Sequence, residues 1–514
     1  MIAGATRRFA VFGLLLGAMP AILSTGALGS SAVAQVGGTA PGGAQRSALP
    51  RPKISAHLTS TRFITAQANE TRLVYEFSRT SPTFVSLLER RQGKKWQTTR
   101  SVKRKGSFSG VHSITVKSLF GKRTVEVGRY RLSLSADANR TTLFFRVVGA
   151  SPLSNAVAVS SGSGHNCALF ANGTIDCWGY NSSGELGTGV RTTSSPYAIT
   201  TAVAVKGITT ATSFSAGFLH TCALLAGGGV ECWGYNRNGE LGNGTATNHS
   251  PFAIAAPVRV MGITNATSIS SGAFHTCALL QDGSVECWGF NFVGQLGNSS
   301  MIDSAAPVQI GGLGNVASIS GGGFHTCALL QGGSVECWGD NEFGQLGNGA
   351  TIDSATPVVV NAIADATSVS AGYSHTCALL RDGTVECWGN NQLGQLGDGT
   401  TNSSPSSVKV VGINDAVAIS AGGFQTCALL RGGAITCWGE NRFGQLGNGT
   451  TVASSIPVAV RGVASVVSVS AGYRDTCALV AHGNVKCWGN NDVGQLGNGT
   501  TIGSPAPVGV VSVP

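Results

Sequence analysis

The sequence predicts an all-β protein: a seven-bladed β-propeller preceded by a small β-sandwich. Three observations predict it. From residue 153 onward a unit of 50 or 55 residues recurs seven times. Each unit offers four short apolar segments separated by Gly-rich turns. Gly is abundant, 73 of 514 residues, and only 11% of residues are charged, a composition of tight turns and short strands rather than long helices.

The chain begins with an export pattern. Arg7 and Arg8 precede an apolar stretch from Phe9 to Ala27, and Ala32-Val33-Ala34 offers a small-x-small cleavage site before Gln35. Residues 1–34 are therefore read as a signal peptide, cleaved to leave no membrane span. Residues 35–52, with Gly37, Gly38, Pro41, Gly42, Gly43, Pro50 and Pro52, are read as a flexible linker.

Charge then divides the remainder. Residues 51–150 hold 20 Lys and Arg against 5 Asp and Glu, a net of +15, whereas residues 151–514 hold 11 against 19, a net of −8. A basic module precedes a mildly acidic one, and such asymmetry marks a domain boundary. In residues 53–150 the runs Leu73–Phe77, Phe84–Leu88, Tyr130–Leu134 and Phe144–Val148 alternate with period two. That is the pattern of a half-buried antiparallel sheet, read as a β-sandwich. Gly128–Leu132 followed by Phe145–Val148 resembles the last two strands of bacterial immunoglobulin-like modules. Basic residues cluster at Arg90, Arg91, Lys94, Lys95, Arg100, Lys103, Arg104 and Lys105. They suit either a solvated hairpin or attachment to an anionic envelope polymer or lipid headgroups.

Residues 153–514 form the repeat region. All 14 Cys lie there, two per unit and ten apart. The pairs are Cys167 and Cys177, Cys222 and Cys232, Cys277 and Cys287, Cys327 and Cys337, Cys377 and Cys387, Cys427 and Cys437, and Cys477 and Cys487. A Gly falls six after each first Cys, as in Gly173, Gly283 and Gly383. With Gly283 in the left-handed position of a three-residue hairpin loop, Leu280 faces Ser284, and by counting back Cys277 faces Cys287. Opposed residues lie within disulfide reach. Structural zinc sites want cysteines two to four apart, which this spacing does not offer. Paired cysteines behind an export signal predict disulfides in an oxidising compartment.

His375-Thr376-Cys377-Ala378-Leu379, Val385-Glu386-Cys387-Trp388-Gly389 and Gly394-Gln395-Leu396-Gly397 resemble the repeats of the regulator-of-chromosome-condensation family. The resemblance extends over all seven units and implies the seven-bladed propeller. The cysteine pairs depart from the family's nucleocytoplasmic members. Nuclear members exchange guanine nucleotides on a small GTPase, and an export signal speaks against that activity here. Exported members, an enzyme inhibitor among them, also carry a signal followed by seven blades.

A Trp follows the second Cys of every unit (Trp178 to Trp488), as expected for blade-to-blade packing. His165, His220, His275, His325 and His375 recur at one position, replaced by Gln425 and Asp475 in the last two units. Bonding to a neighbouring loop backbone, which Gln and Asp can imitate, explains them better than a metal. The repeated Asn residues (Asn181 to Asn491) read as turn chemistry.

Function is sought where the units differ. The pair before the His position carries Phe218, Tyr373 and Tyr473, and the positions flanking the repeated Asn carry Tyr180, Tyr235, Phe290 and Phe292. At least three are expected on one surface, as anchors for a protein or glycan partner. There is no nucleophile elbow, phosphate loop, His-Glu metal motif or dinucleotide fingerprint. The polar residues that stand out are repeated, whereas catalytic groups are unique. The expectation is an exported binding scaffold with no cofactor and no catalytic residue. Nuclear-type GTPase regulation and an envelope-attached structural or adhesive protein are the alternatives. Nucleic acid is not a partner an exported chain meets.

Overall fold

The computed structural model describes residues 54–58, 62–64, 72–92, 95–115, 128–136, 139–148, 150–247 and 252–512. The expected signal peptide, the linker and Lys94 lie outside the described residues. No described helix is long and apolar enough to cross a membrane.

Six strands precede the repeats: β1 Ile54–Leu58, β2 Arg62–Ile64, β3 Arg72–Gln92, β4 Lys95–Thr115, β5 Gly128–Ala136 and β6 Asn139–Val148. They join into one sheet in the order β1-β3-β5-β6-β2, with β4 paired along β3. Two of the predicted runs, Leu73–Phe77 and Phe84–Leu88, lie on the single strand β3 rather than on two strands. Register shifts between Phe77 and Thr83 absorb the irregular stretch around Pro82 between them. Bulges let one long strand bend and change partners, and β3 duly pairs β1 before the bulges and β5 after them. Leu88, Leu132 and Leu134 are buried at this second pairing.

The repeats fold into seven four-stranded blades, and each blade is built from consecutive sequence. In blade 3 the strands are a, Ala266–Ser271; b, His275–Leu280; c, Val285–Gly289; and d, Ser304–Gln309. The other blades repeat this order over residues 156–204, 211–259, 316–359, 366–409, 416–459 and 466–509. The b–c hairpin has the expected three-residue loop. Gly283 has φ +82° and its N–H reaches the Leu280 carbonyl at 3.0 Å, while Leu280 N–H bonds the Ser284 carbonyl at 2.9 Å. Cys277 therefore faces Cys287.

All seven expected disulfides are present, one on each b–c hairpin. Cys167 bonds Cys177, Cys222 bonds Cys232, Cys277 bonds Cys287 and Cys327 bonds Cys337. Cys377 bonds Cys387, Cys427 bonds Cys437 and Cys477 bonds Cys487. Their Cα–Cα separations are 4.0 or 4.1 Å, a little inside the 4.5 Å or so of directly opposed residues in the closer kind of antiparallel pair.

The core lies between blades, not within them. Each of the seven repeat Trp is fully buried, and its indole N–H donates to a main-chain carbonyl of the preceding blade. Trp288 reaches Glu240 O at 3.0 Å, and Trp178 closes the circle on Gln495 O at 2.9 Å. One such cluster joins Cys277, Leu279, Val285 and Leu296 of blade 3 to Val316, Ile319, Ala328 and Trp338 of blade 4.

The sequence leaves open which strand closes the ring. Pro507–Val510 does not pair with Ala156–Val159. Ser504–Gly509 is strand d of blade 7 and pairs with strand c, and Ala156–Ser161 pairs with His165–Phe170. Because every blade completes its four strands locally, no strand is left to exchange. The ends clasp instead at the outer edge of blade 1, where Val511–Ser512 lies between Ala198–Ala204 and Ser151–Pro152.

Candidate functional site: an aromatic loop face

The alternation of strand directions sends all a–b and c–d loops to one end of the propeller, and all b–c turns and d–a connections to the other. From residue 153 on, every Phe and Tyr except Phe170 and Phe214 lies on the first end, at the end of strand c or in an a–b or c–d loop. This end is the loop face.

A ring of buried polar pairs supports it. Nε2 of each repeated His meets the Thr hydroxyl of the next blade, from His165 with Thr221 at 2.8 Å round to His375 with Thr426 at 2.9 Å. The partner is thus a hydroxyl, not the backbone expected from sequence. The hydroxyl of Thr326 in turn donates to the Gln295 carbonyl at 2.9 Å. The hydroxyl proton is thereby committed, so the imidazole N–H is on Nε2. Burial holds these imidazoles neutral, lowered to about 3 for His165, His275 and His325 and to about 4 for His220 and His375.

The last two units use other chemistry. Gln425 donates to the carbonyls of Gly472 and Asp475, both at 3.0 Å. At the seam Asp475 accepts from Asn166, which stands where the other blades carry Thr, at 2.7 Å. Burial raises the Asp475 carboxyl to about 8. Asn166→Thr alone is expected to strand Asp475 and cost about 1–3 kcal/mol. The double variant Asn166→Thr with Asp475→His rebuilds the repeat's own pair and should regain most of that loss. Thermal unfolding of the two variants distinguishes them.

Glu185 and Glu240 stand where later blades carry Gln. One oxygen of each accepts a backbone N–H, from Ser183 and Asn238 respectively, both at 2.9 Å. Phe343 N–H bonds Gln345 in the same way. Burial pushes both carboxyls up to about 8, so at neutral pH they are largely protonated and stand in for the amide. The repeated Asn does close the c–d loop as expected: Asn291 accepts from Leu296 N–H at 2.9 Å and donates to the carbonyls of Ser300 and Ile302.

Inside this polar ring, aromatic side chains cover the axis. Phe218, Tyr373 and Tyr473 come from blades 2, 5 and 7 and meet with centroids 5.2 Å (Phe218–Tyr473), 5.4 Å (Tyr373–Tyr473) and 6.3 Å (Phe218–Tyr373) apart. The intervening blades carry Ser163, Ala273, Gly323 and Gly423 at this position. The small residues are a packing requirement. A Cβ on Gly323 would collide with the Tyr373 carbonyl, and one on Gly423 with that of Tyr473. A cavity of about 90 Å³ lies beside these three rings, lined by the ends of the a strands.

Further rings extend the cluster outward. Phe274 lies 5.4 Å from Phe218 and 5.9 Å from Phe324; Phe290 lies 6.0 Å from Phe324 and 6.3 Å from Phe292. Phe292, 46% exposed, is the outer end of this track. Of the residues predicted from sequence, Phe218, Tyr373, Tyr473 and Phe290 are half-buried, whereas Tyr180 and Tyr235 are buried, packed edge-on against Tyr197 and Phe274. Phe274, Phe324 and Phe424 escape the sequence reading, although they occupy the same variable pair before the His position.

The basic residues belong to the strands before the repeats. Arg90 and Arg91 lie on β3, and Lys95, Arg100, Lys103, Arg104 and Lys105 on β4, which pairs along β3, with Arg91 and Lys95 exposed. Among the described residues no three His, Cys, Asp or Glu side chains are grouped to hold a metal ion.

Comparisons with known proteins agree with this architecture. The RCC1-like domain family matches residues 126–416, and regulator of chromosome condensation (RCC1) repeats match residues 433–479, 416–445 and 466–495. The ultraviolet-B receptor UVR8 of Arabidopsis thaliana is 31% identical over 28% of this chain and 32% of its own length. The probable E3 ubiquitin-protein ligase HERC3 of Homo sapiens is 36% identical over 28% of this chain and 13% of its own. The chain thus spans a third or less of these relatives. Human WBSCR16 superposes with a TM-score of 0.58 at 21% identity, covering 65% of this chain and 93% of that one. Yeast RCC1 (Prp20), solved bound to Kap60, gives 0.58 at 20% identity over 70% and 85%. The repeats, the seven blades and the family match together place this chain in the RCC1-like domain family.

Proposed function

We propose that this protein is an exported, non-enzymatic binding scaffold whose loop face engages a protein partner. The observation that carries the reading is the segregation of aromatics. The repeated polar residues are consumed by contacts between blades, while the residues that differ between blades converge as aromatic rings on one end. Central aromatic clusters surrounded by polar groups are how stable interfaces are anchored. Prp20p, of the same fold, has been solved and tested for binding to Gsp1p and histones, so a protein partner suits this architecture.

Export is supported by the leader pattern at residues 7–34 and by seven disulfides, which fit an oxidising compartment. The same bridges weigh against guanine-nucleotide exchange, whose GTPase is intracellular. Attachment to an anionic envelope polymer through the basic β3–β4 hairpin is compatible with the scaffold reading rather than a rival to it.

The test is capture of partners from the host's extracytoplasmic fraction on the oxidised protein. A Phe290→Ala, Phe292→Ala variant should lose the captured protein by about 30- to 1,000-fold, at 1–2 kcal/mol for each of the two anchoring rings. Met261→Ala, on the opposite end, should not. Equal capture by both variants would sink the assignment of this face. A full-length cytosolic chain with free thiols would sink export.

A further inference from the structure

We propose that Arg474 is a carboxylate anchor, and that the partner engaged by this face presents an Asp or Glu flanked by apolar side chains. The inference rests on the scaffold reading above and names the chemistry of its partner. Arg474 immediately precedes Asp475 in the a–b loop of blade 7. The other blades carry Gly164, Leu219, Phe274, Phe324, Ser374 and Phe424 at this position. It is the one charged residue in the variable pairs that surround the axis.

Its guanidinium is held between two rings, 5.2 Å from the centroid of Phe443 and 5.2 Å from that of Tyr473. Contact with two rings restricts the fork and so lowers the entropy lost when it binds. The nearby Arg442 also lies over Phe443, at 4.7 Å, but its carboxylate is supplied by Glu440 at 3.8 Å, and its side chain is 66% exposed. Arg474 has no ion-pair partner among the described residues, and its Nε is buried with no hydrogen-bond partner. A guanidinium that forms no ion pair and lies against two rings presents its planar donors to a bidentate oxyanion. A carboxylate on a protein surface, with apolar neighbours to cover Phe218 and Tyr473, is the oxyanion this surround fits.

The test uses a random peptide library displayed on phage, selected against the oxidised full chain. Selected peptides should share an Asp or Glu beside an aromatic or aliphatic residue. Their affinity should fall about 10- to 100-fold on Arg474→Gln, the scale of a charge-assisted hydrogen bond. Replacing the peptide's acid by its amide should cost the same, and should cost nothing further on Arg474→Gln. Arg442→Gln should change affinity by no more than about 3-fold, as a rim pair does. Near-ultraviolet circular dichroism confirms that each variant is folded, and Arg474→Met, which keeps the stem's packing, repeats the measurement if Arg474→Gln is not. Peptides that need Phe218 and Phe292 but carry no acid, or that bind Arg474→Gln unchanged, would overturn the anchor and leave the scaffold reading standing. Failure to select any peptide sensitive to the loop-face variants would overturn the scaffold reading and the anchor with it.

Discussion

Stability should peak between about pH 6 and 7 and fall on both sides, gently at first in acid and most steeply below about pH 4.5. Five imidazoles are buried neutral, lowered from 6.5 to about 3 or 4. Below pH 6.5 the unfolded chain takes up five protons that the folded chain refuses, so their contribution is lost as pH falls from 6.5 towards 4 for His220 and His375 and towards 3 for His165, His275 and His325. Glu185, Glu240 and Asp475 act in the opposite sense. Raised to about 8, they remain protonated in the folded state while the unfolded chain ionises, so stability is lost as pH rises from the ordinary carboxylate range towards 8. Between about pH 4.5 and 6.5 the five imidazoles outweigh the three carboxyls. Above 6.5 only the carboxyls act. Below 4.5 only the imidazoles act, and five together contribute on the order of 5 kcal/mol or more per pH unit. Chemical denaturation at several pH values checks the dome. His275→Gln, which borrows the solution used at Gln425, should flatten its acid limb. A midpoint that rises steadily from pH 5 to pH 8.5 would contradict the assignment.

Removal of the disulfides should have the other large effect. Each bridge joins residues ten apart along the chain, such as Cys277 and Cys287, a loop that chain entropy values at about 2.5–3 kcal/mol. Replacing that one pair by Ala should lower unfolding free energy by about this amount and leave a folded protein. Seven such losses, roughly 20 kcal/mol if additive, exceed the 5–15 kcal/mol typical of a domain. The fully reduced chain should therefore fail to refold. All fourteen cysteines are at 0% exposure, so reductant alone should act slowly and denaturant should accelerate it. Refolding with and without reductant, followed by far-ultraviolet circular dichroism, checks this.

How far the sequence can be read depends on whether a feature repeats. Cys277 opposite Cys287, Gly283 in its loop and Trp288 between blades recur seven times in equivalent form, and repetition separates a local rule from accident. Features that occur once are harder. In the sequence Arg474 is only a departure from a position that often holds Phe; the fold brings Phe443 of the preceding blade beside it. Tyr180 and Tyr235 vary between units and so read as surface anchors, yet both are buried in blades 1 and 2, Tyr180 against Tyr197 and Tyr235 against Phe274. Ring closure escapes for a related reason. A clasp made of Ser151–Pro152 and Val511–Ser512 is two residues long on each side and has no periodicity to detect. The His ring is legible as a pattern but not in its partner, since the Thr lies in the next blade.

The locality of the bridges bears on biogenesis. Each cysteine's partner arrives ten residues after it, on the other arm of the same hairpin. A chain emerging from a membrane channel in linear order would expose one complete pair before the next cysteine appears, and short loops close fastest. Correct pairing is then the kinetically preferred pairing at every stage. Such a chain needs an oxidant on the far side of the membrane but little reshuffling, and blades can be added or lost in evolution without leaving a widowed thiol.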